Sequence, residues 1–152
     1  MITTRHTVTI DAPVEAVWSL HLAIAAWPEW NQGIDTAVIE GEPRVGATFR
    51  WLTHGLDITS TITAVDPGRS IGWSGPAAGI DGIHHWTFDP APGGGTLVTT
   101  EESWAGPPVD ADPDALLTGL DASLTAWLAD LKATAEARAA RVAGRAGAAP
   151  RG

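Results

Sequence analysis

The chain has 152 residues, enough for one domain with a real core. Its eight Trp, two Phe, absent Tyr and Cys and single Lys, Lys132, exclude disulfides, thiol nucleophiles and phenolic acids, and leave little for Schiff-base or phosphate chemistry. A formal net charge of −9 repels nucleic acid and anionic membrane surfaces, so neither is an expected partner.

The N-terminal run Thr3 to Ile10 alternates in polarity and reads as a strand. Asp11 is placed to cap a helix starting at Ala12-Pro13, with Val14, Val17, Trp18 and Leu22 on its apolar face. A second short helix is expected from Ala23 to about Trp27, ended or bent at Pro28. Six strand-like runs follow: Ile34–Glu40, Ala47–His54, Leu56–Val65, Arg69–Ser74, Ile80–Asp89 and Thr96–Trp104. Gly and Pro punctuate the breaks, as turn chemistry requires. Asp112-Pro113-Asp114 then supplies a cap, a first-turn proline and an acid near the positive end of the helix dipole. Leu117, Leu120, Leu124, Trp127, Leu128 and Leu131 recur at three and four residues, which predicts a long amphipathic helix to about Arg138. The domain is therefore expected over residues 1–140. The last twelve, 141–152, end in the low-complexity run AGRAGAAPRG and are expected to be a disordered tail. No apolar stretch approaches the ~18 residues of a membrane span, and no signal peptide is visible, so the expected location is cytoplasmic, without membrane insertion.

This order, with the opening IDAPVEAVW (Ile10 to Trp18) and WPEW (Trp27 to Trp30), resembles the helix-grip fold of START domains, Bet v 1-like proteins and polyketide cyclases, the SRPBCC superfamily. The runs ITSTITAVDP (Ile58 to Pro67) and IGWSG (Ile71 to Gly75) add to the likeness. The hairpin HHWTFDPAPGGGTLVTTEESWAG (His84 to Gly106) is most similar to the polyketide cyclase/dehydrase branch. The resemblance spans about residues 3 to 138. It implies an α+β domain: a seven-stranded antiparallel sheet curled around the long C-terminal helix, with an internal hydrophobic cavity between them. It also implies a hydrophobic small-molecule ligand, aromatic or polyketide-like, and no cofactor.

Strand alternation says what would line such a cavity. His84, Trp86 and Phe88 share one face, and Val98, Thr100, Glu102 and Trp104 share another. Bringing the aromatic faces together sets Phe88 opposite Val98, Trp86 opposite Thr100 and His84 opposite Glu102. A one-residue slip would substitute His85 and Glu101. Phe49 with Trp51, and Ile71 with Trp73, form further shared faces. His84 and Glu102 are the candidate acid–base pair for enolisation, aldol closure or dehydration; the alternative is a polar pair that stabilises the hairpin. The candidate ligand-binding wall comprises Trp30, Phe49, Trp51, Trp73, Trp86, Phe88 and Trp104, with Leu120 and Leu124 from the long helix. Trp18 and Trp127 are expected in helix packing. Trp27 and Trp30 flank Pro28 at the expected mouth, where they gate the cavity or cover the helix pair.

Other chemistries lack their motifs. In GWSGP, Pro76 replaces the second glycine of a nucleophile elbow, and no Gly-Lys-Ser/Thr phosphate loop exists. His84 and His85 point to opposite faces, and His6, His21 and His54 offer no ligand spacing, so no metal site is expected. Two functions remain: a polyketide cyclase/dehydrase-like enzyme, or a non-catalytic carrier that sequesters a hydrophobic metabolite. Orientation plus one acid–base pair would suffice for the first.

Overall fold

The computed structural model describes residues 1–147. Strand β1 (Ile2–Ile10) leads into helix α1 (Val14–Leu22), a 3-10 turn (Ile24–Ala26) and helix α2 (Trp27–Trp30). Strands β2 (Ile34–Ile39), β3 (Thr48–Thr53), β4 (Leu56–Asp66), β5 (Ser70–Ala77), β6 (Ile80–Pro90) and β7 (Thr96–Ala105) follow, then helices α3 (Pro107–Ala111) and α4 (Pro113–Gly147). The seven strands form one antiparallel sheet in the order β1-β7-β6-β5-β4-β3-β2. Register shifts at Ile34/Thr36 and Ile62/Ala64 are the bulges that bend such a sheet around a helix. This is the helix-grip architecture.

Alternation in the strands puts one apolar face inward, and α4 lies against it. Trp127, Leu128, Leu131 and Ala135 of α4 are buried in one cluster with Trp86, Phe88 and Ile71 of the sheet. A second cluster joins Leu120 and Leu124 of α4 to Ile2 of β1 and Val109 of α3, closing the other end. The single lysine has a structural task. Lys132 Nζ donates to the Thr9 carbonyl at 2.7 Å and to Glu136 at 2.8 Å, while Glu136 also accepts the Asp11 N–H at 2.8 Å. These contacts pin α4 to the end of β1.

Three local expectations are corrected. Asp11 caps nothing: α1 starts after Pro13 with no side-chain cap, and the Asp11 N–H is spent on Glu136. Pro28 does not end a helix; it sits in the first turn of α2, where its missing N–H costs no hydrogen bond. The long helix runs past Arg138 to Gly147, so residues 141–147 of the expected tail are helical. Their Ala-rich sequence extends a nucleated helix at little cost. The rest of that tail lies outside the described residues. Asp112 does cap α4, accepting the Ala115 N–H on Oδ1 at 3.1 Å.

Candidate functional site

The expected register of the central hairpin holds. His84 pairs with Glu102, Trp86 with Thr100 and Phe88 with Val98. On the other side of β6, His84 pairs with Trp73. Glu102, His84 and Trp73 thus form one row across three strands.

The next row is almost empty. Trp104 pairs with Gly82, and Gly82 with Gly75, so two glycines leave the sheet bare between Trp104 and Ser60. Gly75 has a further constraint, since a Cβ there would collide with the Thr59 carbonyl oxygen. Facing this gap, α4 presents Gly119, Ala122, Ser123 and Ala126, which are one helical face at three- and four-residue spacing. Small residues on both sides leave a cavity of about 440 Å³. Gly119, Ala122 and Ala126 are exposed, so the cavity reaches solvent along this edge of α4.

Its walls are mostly apolar. Trp51, Trp73 and Trp104 of the sheet and Trp127 of α4 supply four indoles, with Leu56, Ile58 and Ile80 between them. The polar wall groups are His84 and Glu102, the hydroxyls of Thr53, Ser60 and Ser123, and His54 at the β3–β4 turn. Two hydroxyls are already engaged: Trp51 Nε1 donates to Ser60 at 3.1 Å, and Thr53 donates to the Gly33 carbonyl at 2.6 Å. Among the described residues, no Lys or Arg lines the cavity.

The His84–Glu102 pair is held from both ends. Thr100, itself fully buried, lies 2.7 Å from His84 Nε2. The indole of Trp104 donates to Glu102 Oε1 at 3.0 Å. What remains is His84 Nδ1, unpartnered and buried, 3.5 Å from Glu102 Oε2. Burial pushes the Glu102 carboxyl up to about 7, against the smaller opposing pull of the Trp104 N–H. Burial also holds His84 well below its ordinary range, with His21 and His85 adding to the effect. Near neutral pH the pair therefore consists of a neutral imidazole beside a carboxyl close to half-ionised, the poise a proton-transfer group needs.

The structure sorts the other candidates. Trp51, Trp73 and Trp104 line the cavity with His84 and Glu102. Phe49, Trp86 and Phe88 face the same side of the sheet but lie outside the cavity wall, because α1, the 3-10 turn and α2 cover that half. Trp27 packs edge-on to Phe49 at 5.5 Å, His21 lies 4.2 Å from Trp86, and Trp18 meets Phe88 edge-on at 5.4 Å. Trp30 is buried with these helices, 6.4 Å from His21, and does not reach the cavity. Leu120 and Leu124 turn toward Ile2 and Val109 instead. Trp127, expected only in helix packing, both packs and lines the cavity. The small-residue face from Gly119 to Ala126 was legible as a spacing on the long helix, and is what the apolar pattern alone overlooks.

Among the described residues, no group of three or more His, Cys, Asp or Glu side chains is gathered so as to hold a metal ion, and no helix is long and apolar enough to cross a membrane.

A curled sheet gripping a helix over a lined cavity defines a protein of the helix-grip class. Residues 1–136 match the family model described as polyketide cyclase / dehydrase and lipid transport, and the chain belongs to that family. A search of curated proteins found no match. Among solved structures, the fold is similar to the Zhui aromatase/cyclase from Streptomyces sp. R1128, at 18% identity and TM-score 0.79 over 90% of this chain and 94% of that one. It is also similar to a START superfamily protein from Mycobacterium smegmatis, at 17% identity and TM-score 0.71 over 92% and 98% of the two chains. A third likeness is to the di-domain ARO/CYC protein StfQ of the steffimycin biosynthetic pathway, at 19% identity and TM-score 0.74 over 91% of this chain and 52% of that one.

Proposed function

We propose that the cavity binds a compact, uncharged aromatic or polyketide-like molecule and that His84 and Glu102 move a proton on it, in a cyclisation or dehydration. The observation that carries this reading is the pair itself: a carboxyl oxygen 3.5 Å from an unpartnered imidazole nitrogen, opening onto an apolar wall. Size and polarity agree. A cavity of about 150 Å³ accommodates one benzene in an engineered protein, so 440 Å³ suits two or three fused rings. Among the described residues no cation lines the wall, so a carboxylate or phosphate ester seated against the indoles would lack a charged partner, which disfavours it there.

In the proposed step the ionised Glu102 takes a proton from the carbon beside a bound ketone. The C–H electron pair passes into the enolate, neutral His84 Nδ1 accepts a hydrogen bond from the newly protonated carboxyl, and Glu102 then returns the proton to the enolate. Thr100 and Trp104 fix the two groups so that little reorganisation is needed. The surrogate 2-tetralone tests this in D2O, where exchange of its activated methylene hydrogens is read by NMR. The wild-type chain is expected to accelerate exchange. Glu102→Gln keeps the acceptor for Trp104 and is expected to lower the rate by about 10²-fold or more, with binding changed less than about threefold. Binding of 2-tetralone without accelerated exchange by the wild-type chain would contradict the proton-moving role. The carrier function would then stand, favoured by the fact that, among the described residues, His54, His84 and Glu102 are the only titratable groups on the wall.

A further inference from the structure

A second chamber of about 420 Å³ adjoins the first. The two share Thr53, His54, Ser123, Ala126 and Trp127 as walls, so they are neighbours across one partition. Their chemistry differs. The first is walled by indoles and aliphatic side chains, whereas the outer one adds Asn31, Gln32, Gly33 and Asp130.

Asn31 is the informative residue. It is 4% exposed, and its Oδ1 accepts the Gly33 N–H at 2.9 Å, which fixes the orientation of the amide. Its Nδ2 is left buried without a partner. A buried amide donor with nothing to bond is costly, and a ligand acceptor that reaches it would remove that cost. Asp130 of α4 supplies an acceptor, already oriented by the Gln32 backbone N–H at 3.0 Å and side-chain amide at 3.4 Å. At the partition His54 stands in the left-handed region, at φ 48°, and its imidazole is packed against Gly33, where a Cβ would lie 3.2 Å from Nε2. Gly33 thus makes room for the ring between the chambers.

We propose that the outer chamber is the second half of the same binding site, and that it takes a neutral, hydroxyl-bearing arm attached to the aromatic body held in the first. The inference rests on the cavity reading above. An amide donor, a hydroxyl, an imidazole and a carboxylate acceptor match the alternating donors and acceptors of a polyol. Among the described residues Asp130 gives the wall a negative formal charge and no Lys or Arg lines it, so an anionic arm is disfavoured.

Calorimetric titration of the full chain with 1-naphthol and with 1-naphthyl β-D-glucopyranoside tests the inference. The glucoside is expected to bind about tenfold more tightly than the naphthol. Ala129→Phe changes an exposed α4 residue that lines only the outer chamber. It is expected to abolish that preference and leave naphthol affinity within about twofold. Asn31→Asp keeps the acceptor for Gly33 and removes the free donor, and it is expected to weaken only the glucoside. If the naphthol binds but the glucoside binds no better, or if Ala129→Phe leaves the preference intact, the outer subsite is overturned and the cavity reading survives. If neither compound binds, both fall.

Discussion

Trp86→Ala is expected to cost about 3–5 kcal/mol of folding free energy, among the largest losses of any single truncation in this chain. Trp86 is fully buried at the centre of the concave face, 4.2 Å from His21, 5.2 Å from His84 and 5.1 Å from Trp127, ring to ring. Its neighbours come from α1, β6 and α4, so no single element can shift to fill the void. Against a typical domain stability of about 5–15 kcal/mol, the loss is a large share of the whole. Trp86→Phe should cost much less, because the indole N–H of Trp86 has no partner to lose. Trp27 is the contrasting case: its N–H donates to the His21 carbonyl at 2.8 Å, and Phe there leaves a buried carbonyl unpaired. Urea unfolding of these variants, with Trp104→Ala as the half-buried cavity-wall control, checks the ranking. A Trp86→Ala loss no greater than that of Trp104→Ala would contradict the placement of the core.

Acid is expected to destabilise the protein through two buried histidines, with Glu102 opposing them. His21, ringed by Trp27, Trp73, Trp86 and Trp127, is pushed by burial down to about 3. His84 is lowered as well. Both stay neutral in the fold, while the unfolded chain binds their protons below 6.5. Their contribution is complete above that pH and is lost as pH falls. Glu102 acts in the other sense. Raised from 4.5 to about 7, it favours the fold below 4.5 and loses that contribution as pH rises through 7. As pH falls from 6.5 toward 4.5 the two histidines together outweigh the one carboxyl, so stability falls toward acid. Below 4.5 the opposition from Glu102 ends and the slope should steepen. His21→Leu removes one histidine and should make the fall in stability from pH 6.5 to 4.5 shallower. Urea midpoints measured across that range decide it, and an unchanged slope in His21→Leu would contradict this account.

Much of the fold was legible in the chain. Alternation and turn residues located all seven strands to within a few residues, and aligning the aromatic faces of β6 and β7 produced the His84–Glu102 register. The site was legible only in part, for a physical reason. A period of two tells which face a side chain takes, but not what lies over that face. Phe49, Trp86 and Phe88 share the concave side with Trp51 and Trp73, yet the packing of α1 and α2 closes off the first three, while the last two, also touched by Trp27, keep an edge on the cavity. That covering is a tertiary fact, set by where Trp18, His21 and Trp27 dock. The cavity itself is made by what is missing, at Gly75, Gly82, Gly119 and Ala122, and an apolar pattern does not register absent side chains. Asp11 looked like a cap because its residue type is right, but the helix starts only at Val14, with Pro13 in the cap position and Asp11 two residues before it.

The central claim is that the cavity over His84 and Glu102 is the place where an aromatic ligand sits. Intermolecular nuclear Overhauser effects between 1-naphthol and the wild-type protein test it most directly. Contacts from the naphthol ring to the indole protons of Trp51, Trp73 and Trp104, and none to Trp18 or Trp30, are the expected result. A saturable complex whose contacts map elsewhere on the surface, or no complex at all, would contradict it.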